Sequence, residues 1–160
     1  MTKQIIIILS LLLFISCSGY NVEYFKNNKN NKVKIPIIEK DIGNKKVLFI
    51  VDSGANLSVI DSTWYFNNSD LFRKEGEETS TIITGISGTS NLKTILVSTI
   101  IDGRRILFST SDLSPIIKDL ETQGFNIVGI LGSDYLRDNY SIIDYKKQAV
   151  YSAKRWNKIW

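Results

Sequence analysis

The segment richest in chemistry is Val47-Leu48-Phe49-Ile50-Val51-Asp52-Ser53-Gly54-Ala55-Asn56-Leu57-Ser58-Val59-Ile60. An unbroken apolar run ends on an acid. A small hydroxyl residue follows, then Gly, then Ala, and then a second apolar run. The spacing predicts a carboxylate presented at a strand end by a tight turn. Ser53 can hydrogen-bond nearby backbone, and Gly54 lets another group approach closely. Asp, Ser and Gly are also ordinary turn residues, so the tripeptide alone says little. The apolar approach sets it apart, because it places an acid at the edge of a core, where burial without a partner is costly.

The rest of the composition narrows the available chemistry. The 160 residues contain no His and a single Cys, Cys17. A Ser-His-Asp triad, a Cys-His pair and a histidine metal site are therefore excluded. So are an internal disulfide and a thiolate zinc site. Catalysis would have to come from Asp, Glu, Lys, Ser, Thr, Tyr or a borrowed ion. Among the other acids, Asp134 reads as a charge at a helix N-terminus. Asp144 reads as a turn former, and Asp102 as half of an Asp-Gly hairpin turn. Asp112, Asp119 and Glu121 line a surface helix with no recognisable cation-loop spacing. No metal or cofactor is expected.

The elements that would hold Asp52 in place are mostly strands. Val33 to Ile38 alternates, with Pro36 suggesting an edge. Lys46 to Val51 is a buried strand, and Leu57 to Ile60 resumes as another. Asp61-Ser62 can cap a short helix through Tyr65, and Trp64 is expected in the core. Asn67 to Glu78 is polar and reads as a loop. Thr81 to Thr84 and Leu92 to Ile101 read as strands around Gly85-Ile86-Ser87-Gly88. Asp102-Gly103 predicts a two-residue hairpin with Arg105 to Phe108 as the return strand. Ser114-Pro115 opens a helix, with Ser as cap, that ends near Gly124. Asn126 to Leu131 is a buried strand, Gly132 to Arg137 starts a helix, and Ser141 to Tyr145 with Gln148 to Tyr151 closes the chain as a hairpin. The fold class is all-β, mostly β with two or three short helices.

With its flanks, the Asp52 segment resembles the active-site loop of retropepsin-like aspartic proteases. Gly85-Ile86-Ser87-Gly88 is similar to that family's flap hairpin. Ile130-Leu131-Gly132 followed by Ser133-Asp134-Tyr135-Leu136 is similar to its apolar-apolar-Gly element and C-terminal helix. The closing Ile143-Asp144-Tyr145 and Val150-Tyr151 hairpin resembles bacterial members. The likeness runs from about Val33 to Tyr151, with Ser53 where Thr is commoner. It implies an acid-protease β-barrel active as a twofold homodimer on a peptide or protein substrate. Asp52, Ser53 and Gly54 would form the catalytic loop. Ala55, Gly85, Ile86, Ser87 and Gly88 would contact substrate. The alternative is a catalytically silent lipoprotein that uses the same fold as a binding or envelope-structural module.

The N-terminus reads as a targeting segment. Ile5 to Ile15 is uncharged and mostly apolar, the length of a signal-peptide apolar region and short of the roughly 20 residues a spanning helix needs. Ser16 then precedes Cys17. A small residue before a lone Cys resembles the bacterial lipobox, although Phe14 stands where Leu, Val or Ile is usual; the plainer alternative is a secretory signal with an incidental Cys. The expected division is a signal peptide over 1–16, a lipidated Cys17 and flexible tether over 17–32, and a protease domain over 33–160. The protein would be lipid-anchored in the bacterial cell envelope. Net charge is +4, with pI near 9.1, but the cations are scattered and no nucleic-acid partner is expected. Trp156 and Trp160, with Lys154, Arg155 and Lys158, suit either a packed tail or a contact with a membrane interface or a second copy.

If Cys17 carries lipid, radiolabelled fatty acid will enter the wild-type chain and not Cys17→Ser. Equal labelling of the two would remove the lipoprotein reading.

Overall fold

The computed structural model describes residues 19–26, 35–77, 79–85 and 88–154. The proposed signal segment, Cys17, Ile86, Ser87, Trp156 and Trp160 lie outside the described residues. The strands are β1 Tyr20–Tyr24, β2 Ile37–Ile42, β3 Lys45–Val51, β4 Val59–Asp61, β5 Arg73–Lys74, β6 Thr79–Gly85, β7 Gly88–Thr94, β8 Leu96–Ile101, β9 Arg104–Ser111, β10 Ile127–Leu131, β11 Ile142–Asp144 and β12 Ala149–Ala153. Among the described residues three short α-helices accompany them: α1 Ser62–Asn67, α2 Ser114–Thr122 and α3 Ser133–Asp138. As the sequence implies, the protein is mostly β, and its main sheet curls into a half-barrel.

That sheet has seven strands in the order β2-β3-β10-β4-β9-β8-β5. β10 threads between β3 and β4, parallel to the first and antiparallel to the second. Strands buried on both faces read as continuous apolar runs rather than alternating ones. Every residue of β10 is buried, and β3 is buried over its last three residues. On one side Phe49, Val51, Ile60, Phe108 and Leu131 pack together, with the Phe49 and Phe108 rings stacked at 5.8 Å. On the other side Ile50, Ile127 and Ile130 meet Leu113, Ile117 and Leu120 of α2 and its lead-in. Helix α2 therefore covers a face of the sheet that the strand sequence alone would leave wet.

Local chemistry sets the turns. Asp102 and Gly103 both take positive φ, 53° and 72°, as a type I′ hairpin between β8 and β9 requires. Asp61 caps α1 by accepting from Trp64 N, and its other carboxylate oxygen accepts from Leu113 N. One buried acid thus ties α1 to the start of α2. The cap of α2 differs from the expected one: Ser114 is the first helical residue, and the Asp112 carboxylate accepts its N–H at 2.9 Å. Within the expected polar loop, Ser69–Leu71 forms a turn of 3₁₀-helix, and β5 pairs with β8.

Part of the expected tether is a strand, while residues 27–32 lie outside the described residues. Residues Tyr20–Tyr24 pair antiparallel with β12, which also pairs with β11, to make a three-stranded sheet. Phe25 is buried in the main core. The pairing holds because the inward residue of β1, Glu23, finds a cation. Lys40 on β2 is 3% exposed and bridges Glu23 to Asp102, with its ammonium 5.6 Å from the Tyr135 ring centroid. Burial by itself would discharge this lysine, but the surrounding Tyr135, Glu23 and Asp102 push its pKa above the ordinary range, so it stays charged. Burial pushes the Tyr135 phenol up to about 12.

Removing one member of a buried ion pair strands the others. Lys40→Met is expected to destabilise the protein by about 3 kcal/mol in urea unfolding, on that account. A change under about 0.5 kcal/mol would show that Lys40 is not the clamp on β1.

Candidate active site

Asp52 follows the last residue of β3, where the strand leaves the sheet. Its N–H still donates to Leu131 O at 3.0 Å, so the backbone at the acid is fixed to the end of β10. The chain then turns: Ala55 N donates to Asp52 O at 3.2 Å, and Gly54 N donates to Asp52 Oδ1 at 2.8 Å. A Cβ on Gly54 would sit 3.2 Å from that same carboxylate oxygen, so the bare position lets the backbone amide close on it. The sequence places Asp52 at the core edge. In the structure Asp52, Ser53 and Gly54 are all exposed, and Ala55 is half-buried. The unbroken apolar run belongs to β3 and stops one residue short of the acid.

What fixes the loop comes from far away in sequence. Ser58 is fully buried at its C-terminal end. Its hydroxyl donates to Asp134 Oδ1 at 2.7 Å and accepts from Gly132 N at 3.0 Å, while its own N–H donates to Asp134 Oδ2 at 3.0 Å. Ser133 N donates to Ala55 O at 2.7 Å, and Ser133 Oγ reaches Asn56 O at 3.3 Å. Asp134 does sit in the first turn of α3, as expected, but its larger part is to hold the Asp52 loop from 76 residues away. Sequence reasoning missed Ser58, and the only hint was a small hydroxyl residue where the second apolar run begins.

Close approach makes this possible. A Cβ on Gly132 would lie 2.8 Å from Ala55 O and from Leu57 O. One on Gly129 would lie 2.5 Å from Val59 O and 2.8 Å from the Phe49 ring. No side chain fits at either position without moving backbone, so β10 and the start of α3 lie directly against the loop.

Around the loop, Leu57 is 59% exposed. Beside it a cleft of about 400 Å³ is lined by Leu57, Leu96, Leu107, Ser109 and Asp134. β6 and β7 pair in register from Thr79↔Thr94 to Gly85↔Gly88, and β7 lies against β9. Gly85 and Gly88 thus close the hairpin as expected, with Ile86 and Ser87 between them in sequence. The structure does not gather the remaining acids at this site. Asp144 accepts Lys147 N in the last hairpin, and Asp102 pairs with Lys40. Hydrogen bonds from Ser114 hold the Asp112 carboxyl below its usual range. Among the described residues, no group of His, Cys, Asp and Glu could hold a metal.

A mostly-β half-barrel with an inserted central strand, an Asp-Ser-Gly turn at a strand end and a helix clamping that turn defines a retropepsin-like fold. The chain matches the retroviral aspartyl protease family over residues 32–141, more than half its length, and it belongs to that family. Among solved structures it is similar to the EIAV protease complexed with the inhibitor HBY-793, with 23% identity, covering 69% of this chain and 92% of that one at a TM-score of 0.45. No curated protein matches.

Ser58→Ala removes the hydroxyl that donates to Asp134 Oδ1 and leaves Gly132 N–H without its acceptor. Such a loss costs about 1–3 kcal/mol. Chemical unfolding should show that cost, with Ser58→Thr recovering most of it; equal losses in both variants would mean that packing volume, not the hydroxyl, matters here.

Proposed function

We propose that this protein is an aspartic endopeptidase whose catalytic centre forms when the Asp52 carboxylates of two chains meet across a twofold axis. The observation that carries this reading is an exposed Asp52 on a backbone fixed at both ends, in a family of aspartic proteases, with one Asp-Ser-Gly in the chain. A single loop supplies half of a carboxylate pair.

Two carboxylates about 3 Å apart resist double ionisation, so such a pair shares one proton and titrates in two separated steps. The ionised member would take a proton from a water held between them. The protonated member would polarise the scissile carbonyl. As the tetrahedral intermediate collapses, the proton held by the first passes to the leaving amine, so no covalent intermediate and no histidine base are needed. Gly54 N–H, already on Asp52 Oδ1, would hold one oxygen in place. Ser53 would link the two loops. Ala55 and the hairpin segment Gly85, Ile86, Ser87 and Gly88 would bind the substrate backbone and exclude water. The cleft beside the loop, where Leu57, Leu96 and Leu107 meet Arg105, Arg137 and Asp138, would take a side chain of the peptide. A signal peptide followed by a lipidated Cys17 would hold the enzyme in the bacterial cell envelope.

Activity is expected to follow a bell-shaped pH profile with an acid-side optimum, because only the singly protonated pair is competent. Asp52→Asn is nearly isosteric and should keep the fold while losing hydrolysis by several orders of magnitude. Specific activity should fall on dilution. A wild-type protein that cleaves no peptide library from about pH 3 to 8 would instead leave the silent binding module as the reading.

A further inference from the structure

The three-stranded sheet β1-β12-β11 has two unlike faces. Residues directly opposite across the strands share a face. One row is Glu23, Val150 and Ile143, which packs inward on Lys40 and the core. The other row is Val22, Tyr151 and Ile142, flanked on β1 by Tyr20 and Tyr24. Tyr20, Val22, Tyr24 and Ile142 are 47%, 42%, 69% and 56% exposed. This outer face is apolar with phenolic tips, and a cation borders it. Lys147 Nζ lies 5.5 Å from the Tyr151 ring centroid. Asp144 lies on the same face in the row of Ala149 and Tyr24, and its carboxylate accepts Lys147 N.

Tyrosine rings with a polar tip and long lysines are the side chains that settle at a membrane–water boundary, where one end is apolar and the other wet. Chain length points the same way. Tyr20 is three residues from Cys17, which at about 3.4 Å per residue is a reach of about 10 Å. A lipid on Cys17 would hold the Tyr20 end of this sheet within about 10 Å of the bilayer. We propose that the Tyr20–Val22–Tyr24–Tyr151–Ile142 face rests on the lipid headgroup layer, with Lys147 toward anionic phosphates. The sheet is then a docking surface that fixes how the protease is presented to the envelope. This rests on the reading of Cys17 as the anchor.

The test uses the full, lipid-modified chain in vesicles of phosphatidylethanolamine and phosphatidylglycerol. An environment-sensitive fluorophore is placed on Val22→Cys or, as control, on Ile116→Cys, an exposed position on α2. Spin-labelled lipid should quench the Val22 probe several-fold more than the Ile116 probe, and Tyr20→Ser with Tyr24→Ser should reduce the difference. A lipidated chain whose Val22 probe is as open as the Ile116 probe overturns the docking and leaves the anchor standing. A chain without lipid on Cys17 removes the anchor and the docking together. If the Cys17→Ser chain shields the Val22 probe in the absence of vesicles, and unlabelled Val22→Cys in that chain forms disulfide-linked dimers on mild oxidation, a second copy covers the face and the proposal fails.

Discussion

The structure depends on how closely β10 lies against the turn that carries Asp52. Strand β10 fills the gap between β3 and β4, and the space left over at positions 129 and 132 is smaller than one methyl group. Because backbone meets backbone there, the turn is held by main-chain bonds from Asp52 to Leu131 and from Ser133 to Ala55. Those bonds do not depend on side-chain rotamers. The buried Ser58–Asp134 pair then locks the far end of the turn. A carboxylate can project into solvent from such a base without the backbone giving way, which is the kind of fixed presentation that catalysis by positioned groups requires.

An exposed acid on a rigid loop is an incomplete site. In the single chain the Asp52 side chain is open to water, and one of its oxygens already accepts the Gly54 amide. The low-dielectric surroundings that make a carboxylate pair share a proton must be brought by something else, and in the proposed assembly the second chain and the closing hairpin bring them. On that proposal the fold prepares one half of the geometry and leaves desolvation to assembly. The N-terminal strand joins the two ends of this account. Lys40 ties β1 into the domain through Glu23, so a lipid three residues upstream would act on a rigid body rather than through a loose arm.

Much of this was legible in the sequence where one local rule decided the outcome. The apolar runs at Lys46–Val51 and Asn126–Leu131 are long because both faces of β3 and β10 are covered, and no other short-range pattern competes with that. Asp102-Gly103 announced its turn through the only backbone conformation that fits it, and Asp61 announced its cap. The rest depended on partners that spacing cannot reveal. β1 passed for tether because residues 18–32 are rich in Asn, Lys, Ser and Gly, which hides the short alternation of Tyr20, Val22 and Tyr24, and because the inward residue, Glu23, is a carboxylate. Only Lys40, on another strand, makes that inward position acceptable. The Asp52 clamp was invisible for the same reason, since Ser58 and Asp134 lie 76 residues apart. The cap of α2 shifted by one residue, to Leu113, and the Asp112 carboxylate accepts the Ser114 N–H.

The central claim is that two Asp52 loops make one catalytic centre, and the stoichiometry of a transition-state mimic tests it most directly. A statine-type peptide, whose hydroxyl takes the place of the attacking water, should bind by calorimetry at one molecule per two chains, most tightly at mildly acid pH, and lose that binding in Asp52→Asn. Saturation at one molecule per chain on a strictly monomeric protein, or unchanged binding by Asp52→Asn, would contradict it.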